Sequence, residues 1–332
     1  MTATQPMIAV RGLKKRYGAT NVLDGIDLNV ARGDIFALLG PNGAGKTTIV
    51  NILTTLIKPD AGAAHIDGID VLRNPQTARG VISLTGQYAS VDEFQTGEEN
   101  LAMMARLAHL GSRAARARTH ELLEQFELVA AAGRPARTYS GGMRRRLDLA
   151  ISLIARPPVV FLDEPTTGLD PRSRTQMWAV VRELADAGTT ILLTTQYLEE
   201  ADQLAGMIAV IDGGAVIARG TASELKNRVS GEHIELTFED QRSFDAAKSL
   251  ALPRAGADGE TLSIRVPTTE PVATIRELLA TADARALAVA NIAIIKPTLD
   301  DVFLALTGHT TSTADAARAA DTSAARNQEV AA

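Results

Sequence analysis

The sequence predicts an α/β fold in which a largely parallel sheet flanked by helices surrounds a phosphate-binding loop, followed by a small α+β accessory domain. Gly40-Pro41-Asn42-Gly43-Ala44-Gly45-Lys46-Thr47 fits the pattern G-x-x-x-x-G-K-[ST], with an apolar run before it and a helical pattern after it. A second apolar run, Val159-Val160-Phe161-Leu162, ends in the carboxylates Asp163 and Glu164. From there to about residue 220, short apolar runs alternate with helical patterns, as βαβ units require.

Residues 7 to about 85 read as strands around the loop. Ile8-Ala9-Val10 and Ile26-Asp27-Leu28-Asn29-Val30 are short strand candidates, and Ile35-Phe36-Ala37-Leu38-Leu39 suits a buried parallel strand. The helix expected from Thr47 follows the glycine-rich turn directly. Helical periodicity takes over from 88 to about 157, opening at Thr96-Gly97-Glu98-Glu99, a capping-box pattern, with helices expected over 100–109 and 119–126. A further helix over 143–155 places Leu147, Ala150, Ile151 and Ile154 on one face. Asp212-Gly213-Gly214 between apolar runs is a hairpin signal.

Past residue 225 the pattern restarts. Residues 234–238 and 262–266 alternate as strands, 274–282 form an amphipathic helix, and 286–294 a third strand. Thr298 with Asp301 reads as a capped helix start and Gly308 as its stop. The expected organisation is therefore a nucleotide-binding domain over 1–225, with a helical subdomain at about 88–157, and an accessory domain over 226–308. An Ala/Thr/Asp-rich disordered tail is expected over 309–332.

The phosphate loop has a direct chemical reading. Gly40, Gly43 and Gly45 let the backbone turn inward with its N–H groups aimed at phosphate oxygens, and the helix N-terminus adds positive potential. Lys46 would bridge the β- and γ-phosphates, and the Thr47 hydroxyl would ligate Mg²⁺. Asp163, at a strand end, would hold Mg²⁺ directly or through water. Glu164 is placed to orient or deprotonate the attacking water. Between the two motifs, Ser140-Gly141-Gly142 opens a helix, and a hydroxyl with glycine amides there makes an anion site.

Composition narrows the function further. At 332 residues the chain holds about two domains, and 45% hydrophobic residues supply a core. A net charge of −5 argues against a nucleic-acid partner; the conspicuous basic cluster, Arg144-Arg145-Arg146, reads as a solvated helix face. Zero cysteines exclude disulfides and thiolate zinc sites, as suits a reducing cytosol. No segment approaches the roughly 18 apolar residues of a membrane span. Met1-Thr2-Ala3-Thr4-Gln5-Pro6 lacks the basic start and apolar stretch of a signal peptide.

Taken together, these motifs resemble the nucleotide-binding subunit of an ABC transporter, and more narrowly the daunorubicin-resistance type of drug-exporter ATPase, over residues 7 to about 308. The resemblance implies a P-loop NTPase of ABC type, with a RecA-like parallel core, an antiparallel β part and a helical subdomain. It also implies ATP and Mg²⁺ as cofactors. Tyr17 matches the aromatic that stacks on adenine, beside phosphate-loop residues through Thr48. Gln87 matches the glutamine that ligates Mg²⁺ and reports to the membrane subunit. Ser140, Gly141 and Gly142 match the signature that meets the γ-phosphate on a partner chain, although the usual Leu-Ser-Gly-Gly-Gln is here Tyr-Ser-Gly-Gly-Met. Asp170 matches a loop that crosses the dimer interface. One copy of each motif implies a homodimer around two Mg·ATP, docked at the cytoplasmic face of the membrane on a separate polytopic permease. The implied task is efflux of a hydrophobic or amphipathic drug-like molecule. An ATPase for a lipid or polysaccharide exporter, or a soluble non-transport ABC ATPase, is the alternative.

One position departs from the superfamily pattern. Where most members carry histidine, this chain has Gln196, as the drug-resistance subgroup tends to. An amide can donate to the γ-phosphate but cannot offer the charge-assisted contact of an imidazolium, so slow hydrolysis is expected, with Gln196 sensing the γ-phosphate. The segment from Pro297 to Gly308 resembles one tied to subunit contacts in such ATPases. General-base catalysis is worth roughly 10²–10⁴ in rate. Glu164→Gln should accordingly bind ATP with near wild-type affinity and lose turnover by that factor, measured by phosphate release beside nucleotide titration.

Overall fold

The computed structural model describes residues 5–86, 90–229, 232–250 and 255–307. Gln87, Gly308 and the tail expected over 309–332 lie outside these residues. The chain divides into two compact units, the second beginning at Ser223.

In the first unit the central element is a six-stranded sheet. Its spatial order is Ala215–Gly220, Met207–Asp212, Ile35–Leu39, Thr190–Thr195, Val159–Asp163, Ile82–Thr85. All neighbours pair in parallel except the Asp212-Gly213-Gly214 hairpin at one edge. Every residue of Ile35–Leu39, Val159–Asp163 and Thr190–Thr195 is buried. Continuous apolar runs are what a parallel sheet covered on both faces demands. Register aligns the ends: Leu39 faces Thr195, and Asp163 faces Thr194. The phosphate loop, the two carboxylates and Gln196 therefore leave three adjacent strands at one level, outside their carboxyl ends, where open α/β sheets bind ligands.

A four-stranded antiparallel sheet sets Ile8–Tyr17 between Thr20–Val30 and Ala61–Ile66, with Ile69–Asp70 at the edge. Its inward residues, including Ile8, Leu13, Leu23 and Ile26, share one core with Phe36, Leu38, Ile49, Val50 and Phe161. That shared core fixes the phosphate-loop helix Lys46–Leu53 against both sheets.

The helical subdomain begins where the capping box predicts. Thr96 Oγ1 accepts from the Glu99 N–H at 3.2 Å, and Glu99 Oε2 accepts from the Thr96 N–H at 2.8 Å. Helices run over Gly97–Leu107 and Ser112–Gln125. The second starts earlier than expected because its first turns bury only the small Ala115, leaving periodicity too weak to detect. Tyr139, buried before Ser140, donates to the Ala131 carbonyl at 2.8 Å. A Cβ on Gly97 would stand 2.3 Å from its hydroxyl, so that position requires glycine.

The second unit is an antiparallel sheet in the order Gly256–Asp258, Ser263–Thr268, Glu232–Phe238, Val289–Ile295. Helices Gln241–Lys248 and Pro271–Ala284 complete it. Ile234, Leu236, Phe238, Phe244, Ile264, Val266 and Leu278 form its core. The Gln241–Lys248 helix, with Asp240 accepting from the Ser243 N–H at 2.7 Å, and the short Gly256–Asp258 strand were not expected from the sequence. The last strand starts at Val289, since Ala286 adopts φ +49° in the preceding turn. Thr298 and Asp301 cap each other reciprocally at 2.8 and 3.2 Å, opening the Leu299–Thr307 helix.

Candidate functional site

Close approach dictates the glycines of the phosphate loop. A Cβ on Gly40 would lie 2.2 Å from the Ile211 carbonyl oxygen. Gly45 has φ +104°, and a Cβ there would meet Leu23 at 2.6 Å. No side chain caps the Lys46–Leu53 helix and its first turn carries no acid of its own, so its N-terminal potential faces the loop. Thr47 and Thr48 open that helix half-buried, whereas Asn42 and Gly43 are exposed at the tip of the loop and Ala44 is buried. Ala44 donates to the Pro41 carbonyl at 3.2 Å, closing the turn.

Four sequence-selected residues converge here. Lys46 Nζ donates to the Gly40 and Pro41 carbonyls at 2.7 and 3.0 Å and stands 3.9 Å from Glu164 Oε1. Thr47 Oγ1 donates to Asp163 Oδ1 at 3.2 Å. A hydroxyl and a carboxylate meeting beside the phosphate loop form a hard-oxygen pair. Mg²⁺ in nucleotide sites takes such a pair, completing its shell with phosphates and water rather than an all-protein cage. Consistently, no cluster of three or more His, Cys, Asp or Glu is poised to hold a metal among the described residues. The donor set therefore fits Mg²⁺ bound together with nucleotide.

Thr194, which the sequence reading overlooked, organises the carboxylates. Its hydroxyl donates to Asp163 Oδ1 at 2.5 Å, and Glu164 N–H donates back to Thr194 Oγ1 and O at 3.1 and 3.2 Å. Glu164 itself sits at φ +50°, a left-handed conformation that costs an ordinary residue of order 1–3 kcal/mol and persists where surroundings impose it. Thr167 Oγ1 donates to Glu164 Oε2 at 3.3 Å.

The remaining predicted residues lie around this centre. The Gly40 N–H donates to the Thr195 carbonyl at 3.3 Å, joining the phosphate loop to the strand that ends just before Gln196. The Gln196 side-chain oxygen Oε1 is buried and meets no hydrogen-bond partner among the described residues. Ser140 caps the Gly141–Ser152 helix by accepting from the Met143 N–H at 3.2 Å. Ser140 and Gly141 are exposed; Gly142 is packed so closely that a Cβ would stand 2.5 Å from Ser173 Oγ. Asp170 caps the Pro171–Asp186 helix, accepting from Ser173 N and Oγ at 3.0 and 2.6 Å. Those bonds hold its carboxyl below the ordinary aspartate range. Tyr17 ends its strand 50% exposed, with Lys15 Nζ 5.5 Å from the ring.

One feature runs against the sequence reading and a second lay outside it. Arg144-Arg145-Arg146 is not a solvated face: the side chains of Arg145 and Arg146 are largely buried, and each arginine takes a different carboxylate partner. Apolar periodicity in their helix had pointed to Leu147, Ala150 and Ile151 and said nothing of the intervening cations. Glu200, three residues into the Leu198–Leu204 helix, is fully buried and accepts from Trp178 Nε1 at 3.2 Å. Burial pushes its carboxyl above the ordinary value of 4.5, against the opposing pull of Thr195, Thr166, Trp178 and Arg174.

Comparison with known proteins places this geometry. The ABC transporter family model matches residues 23–167. The daunorubicin resistance ATP-binding protein DrrA2 of Streptomyces coeruleorubidus is 50% identical, over 94% of this chain and 98% of that protein. The Nod factor export ATP-binding protein I of Ralstonia nicotianae is 41% identical, over 91% of this chain and 94% of that one. Among solved structures, a dimeric post-hydrolysis state of the ATP-binding cassette MJ0796 bound to ADP and Pi matches with TM-score 0.59 and 24% identity. It covers 65% of this chain and 98% of that one, and so supports the fold.

Glu200 generates a stability prediction. A raised folded-state pKa means that the folded protein holds this proton more tightly than the unfolded chain, so stability falls as pH rises from 4.5 through the folded value. Glu200→Gln keeps an acceptor for Trp178 and removes the buried charge. At pH 8 its melting temperature should equal or exceed wild type, with the difference shrinking toward pH 4.5. Glu200→Ala strands the indole N–H and should cost about 1–3 kcal/mol. Calorimetry across that pH range decides both outcomes.

With the loop, the paired carboxylates and these relatives in agreement, the chain belongs to the ABC transporter ATP-binding proteins of the daunorubicin-resistance type, and is an ATPase of that family.

Proposed function

We propose that two copies of this chain close around two Mg·ATP and drive export of a hydrophobic or amphipathic drug-like molecule through a separate polytopic permease, at the cytoplasmic face of the membrane. The observation that carries the hydrolytic part is the meeting of Lys46, Thr47, Asp163 and Glu164 within hydrogen-bonding or ion-pair reach. Lys46 would exchange its Gly40 and Pro41 carbonyls for phosphate oxygens. Thr47 and Asp163 would hold Mg²⁺, which neutralises charge on the β- and γ-phosphates. Glu164 would accept a proton from the water that attacks the γ-phosphorus as its bond to the ADP oxygen breaks, releasing ADP and phosphate. Tyr17, half-exposed, is available to stack on adenine.

Exposure of Ser140 and Gly141 supports the dimer. A signature buried within its own chain could not reach a partner's phosphate. Each ATP that binds only the closed dimer stabilises it by about 2.7 kcal/mol at a hundred times its dissociation constant. Loss of the γ-phosphate after hydrolysis would remove the contact to Ser140 and let the halves part. Permease docking is supported by a groove in the helical subdomain lined by Phe94, Gln95, Met103, Arg106 and Leu107. Phe94 is 83% and Leu107 65% exposed there, an unusual amount of apolar surface to leave to water. No helix among the described residues is long and apolar enough to cross a membrane.

The drug-like substrate rests on similarity to the daunorubicin-resistance protein. The Nod factor export relative favours a second reading, in which the cargo is of lipid or saccharide character. Tagged Glu164→Gln, loaded with ATP and recovered from native membranes, should bring a polytopic membrane protein with it. ATPase stimulation of the wild-type complex by a planar aromatic drug, and not by lipid or oligosaccharide, supports the first cargo. Recovery of ribosomal or DNA-associated proteins alone would sink the exporter reading.

Gln196 is expected to sense the γ-phosphate by donating its amide N–H. Gln196→His should match or exceed wild-type turnover, and Gln196→Ala should fall below it. If alanine hydrolyses ATP at the wild-type rate, the residue has no switch role.

A further inference from the structure

We propose that Arg145 is a positioning residue for the hydrolytic carboxylate, clamping the turn through Asp163, Glu164 and Pro165 and, with Asp148, tying that turn to the backbone on either side of residues 87–89. Its side chain is only 11% exposed. Nε donates to the Pro165 carbonyl at 2.9 Å, and Nη2 to the Asp163 and Glu164 carbonyls at 3.2 and 3.3 Å. Nη1 donates to the Gly86 carbonyl at 2.6 Å and reaches Asp148 Oδ2 at 3.4 Å. Asp148, also buried, accepts from the Ser90 N–H at 2.7 Å through its other oxygen. One ion pair on one helix thus holds Gly86 and Ser90, the described residues next to 87–89, and three consecutive carbonyls of the catalytic turn.

The contrast with its neighbours shows that this is not generic basic character. Arg144 reaches Glu93 at 2.9 Å and Arg146 reaches Glu127 at 3.1 Å, both partners being largely exposed. Arg145 alone of the three reaches the turn through Asp163, Glu164 and Pro165. Burial disfavours charge on both partners, pulling the arginine's pKa down and the aspartate's up, while each opposes the shift of the other. A cation buried at that cost, paired with one carboxylate and otherwise spent on backbone carbonyls, is a geometric device.

What it constrains is the strained residue. Glu164 at φ +50° has its N–H held by Thr194 from the neighbouring strand and its carbonyl held by Arg145 from the helix. The two peptide groups flanking its Cα are thereby fixed from opposite sides, which is what aiming a carboxylate at a single water requires. A displacement of Gly86 would be felt at Glu164 through the same guanidinium. A lysine offers one nitrogen and cannot span carbonyls that face three edges of a planar fork.

The proposal rests on the ATPase site above, and the test separates the two. On the full-length protein, steady-state ATP turnover is measured beside titration with a fluorescent ATP analogue and thermal unfolding. Arg145→Lys should lower kcat about tenfold to a hundredfold, the range that misplacing a reacting group costs. KM and analogue affinity should stay close to wild type, while carbonyls left without a donor lower the melting temperature. Asp148→Asn, nearly isosteric, should lower kcat less with the same unchanged KM, and serves if the arginine variant does not fold. Wild-type kcat in a folded Arg145→Lys overturns the proposal, as does wild-type kcat in Asp148→Asn when that variant stands alone. A kcat loss matched by an equal loss of analogue affinity also overturns it, showing general damage to the nucleotide site. Glu164→Gln is the control: if it hydrolyses at the wild-type rate, the site reading itself falls, and the positioning role with it.

Discussion

Parallel pairing of three fully buried strands is the constraint on which the site depends. Ile35–Leu39, Thr190–Thr195 and Val159–Asp163 lie side by side with Leu39 opposite Thr195 and Asp163 opposite Thr194. A slip of one residue in either pair would turn the strand-end side chains to the other face of the sheet. Thr194 would lose Asp163, and Asp163 would lose Thr47. Register here is over-specified, because both faces of the sheet are apolar and a slip would also disorder the packing of Phe36, Phe161 and Leu192. The core thus maintains the alignment of the proposed catalytic groups directly.

Strain and clamping then share the work at the turn that follows. Of the residues proposed to act in hydrolysis, Glu164 occupies the least favourable backbone conformation, and in that role its direction would matter most. Thr194 supplies two acceptors to its N–H, Arg145 a donor to its carbonyl, and Thr167 a hydroxyl to its carboxylate. Each is a modest hydrogen bond, worth about 0.5–1.5 kcal/mol net. Together they are of the same order as the strain they hold, so a carboxylate placed this way is preorganised before substrate arrives.

Chemistry was legible in the sequence wherever a local pattern carries it. The phosphate loop, Asp163-Glu164 and the capping box at Thr96 are contiguous and announce their own conformation. The groups that orient them are not. Thr194 looks like any β-branched residue of a buried strand, and Glu200 like one more acid on a polar helix. Arg145 is hidden inside a run of three arginines whose average character is exposed. These residues act through partners about 20–60 positions away in the chain, as with Arg145 and Gly86, so no window of sequence contains the relation. In the second unit the loss was of another kind: the Gln241–Lys248 helix has only Phe244 and Ala247 as buried apolar residues, too few for a period to show.

The switch position brings the local and the distant together. Gln196 leaves the strand that also supplies Thr194 and Thr195, so its backbone is set by the same register as the carboxylates. Its side-chain amide oxygen is buried and meets no hydrogen-bond partner among the described residues. Turning the amide by half a revolution exchanges oxygen for nitrogen and presents a donor in its place. A γ-phosphate oxygen at that point would accept from the nitrogen, and the turned amide would carry its oxygen out of the present pocket. A neutral residue can remain buried in this way through every stage of the cycle, whereas an imidazolium would need a counter-charge whenever phosphate is absent. In the proposed sensing role, glutamine would give up strength of contact and avoid an uncompensated buried charge when the site is empty. That exchange suits a subunit that must hold its strand ends in place while nucleotide comes and goes.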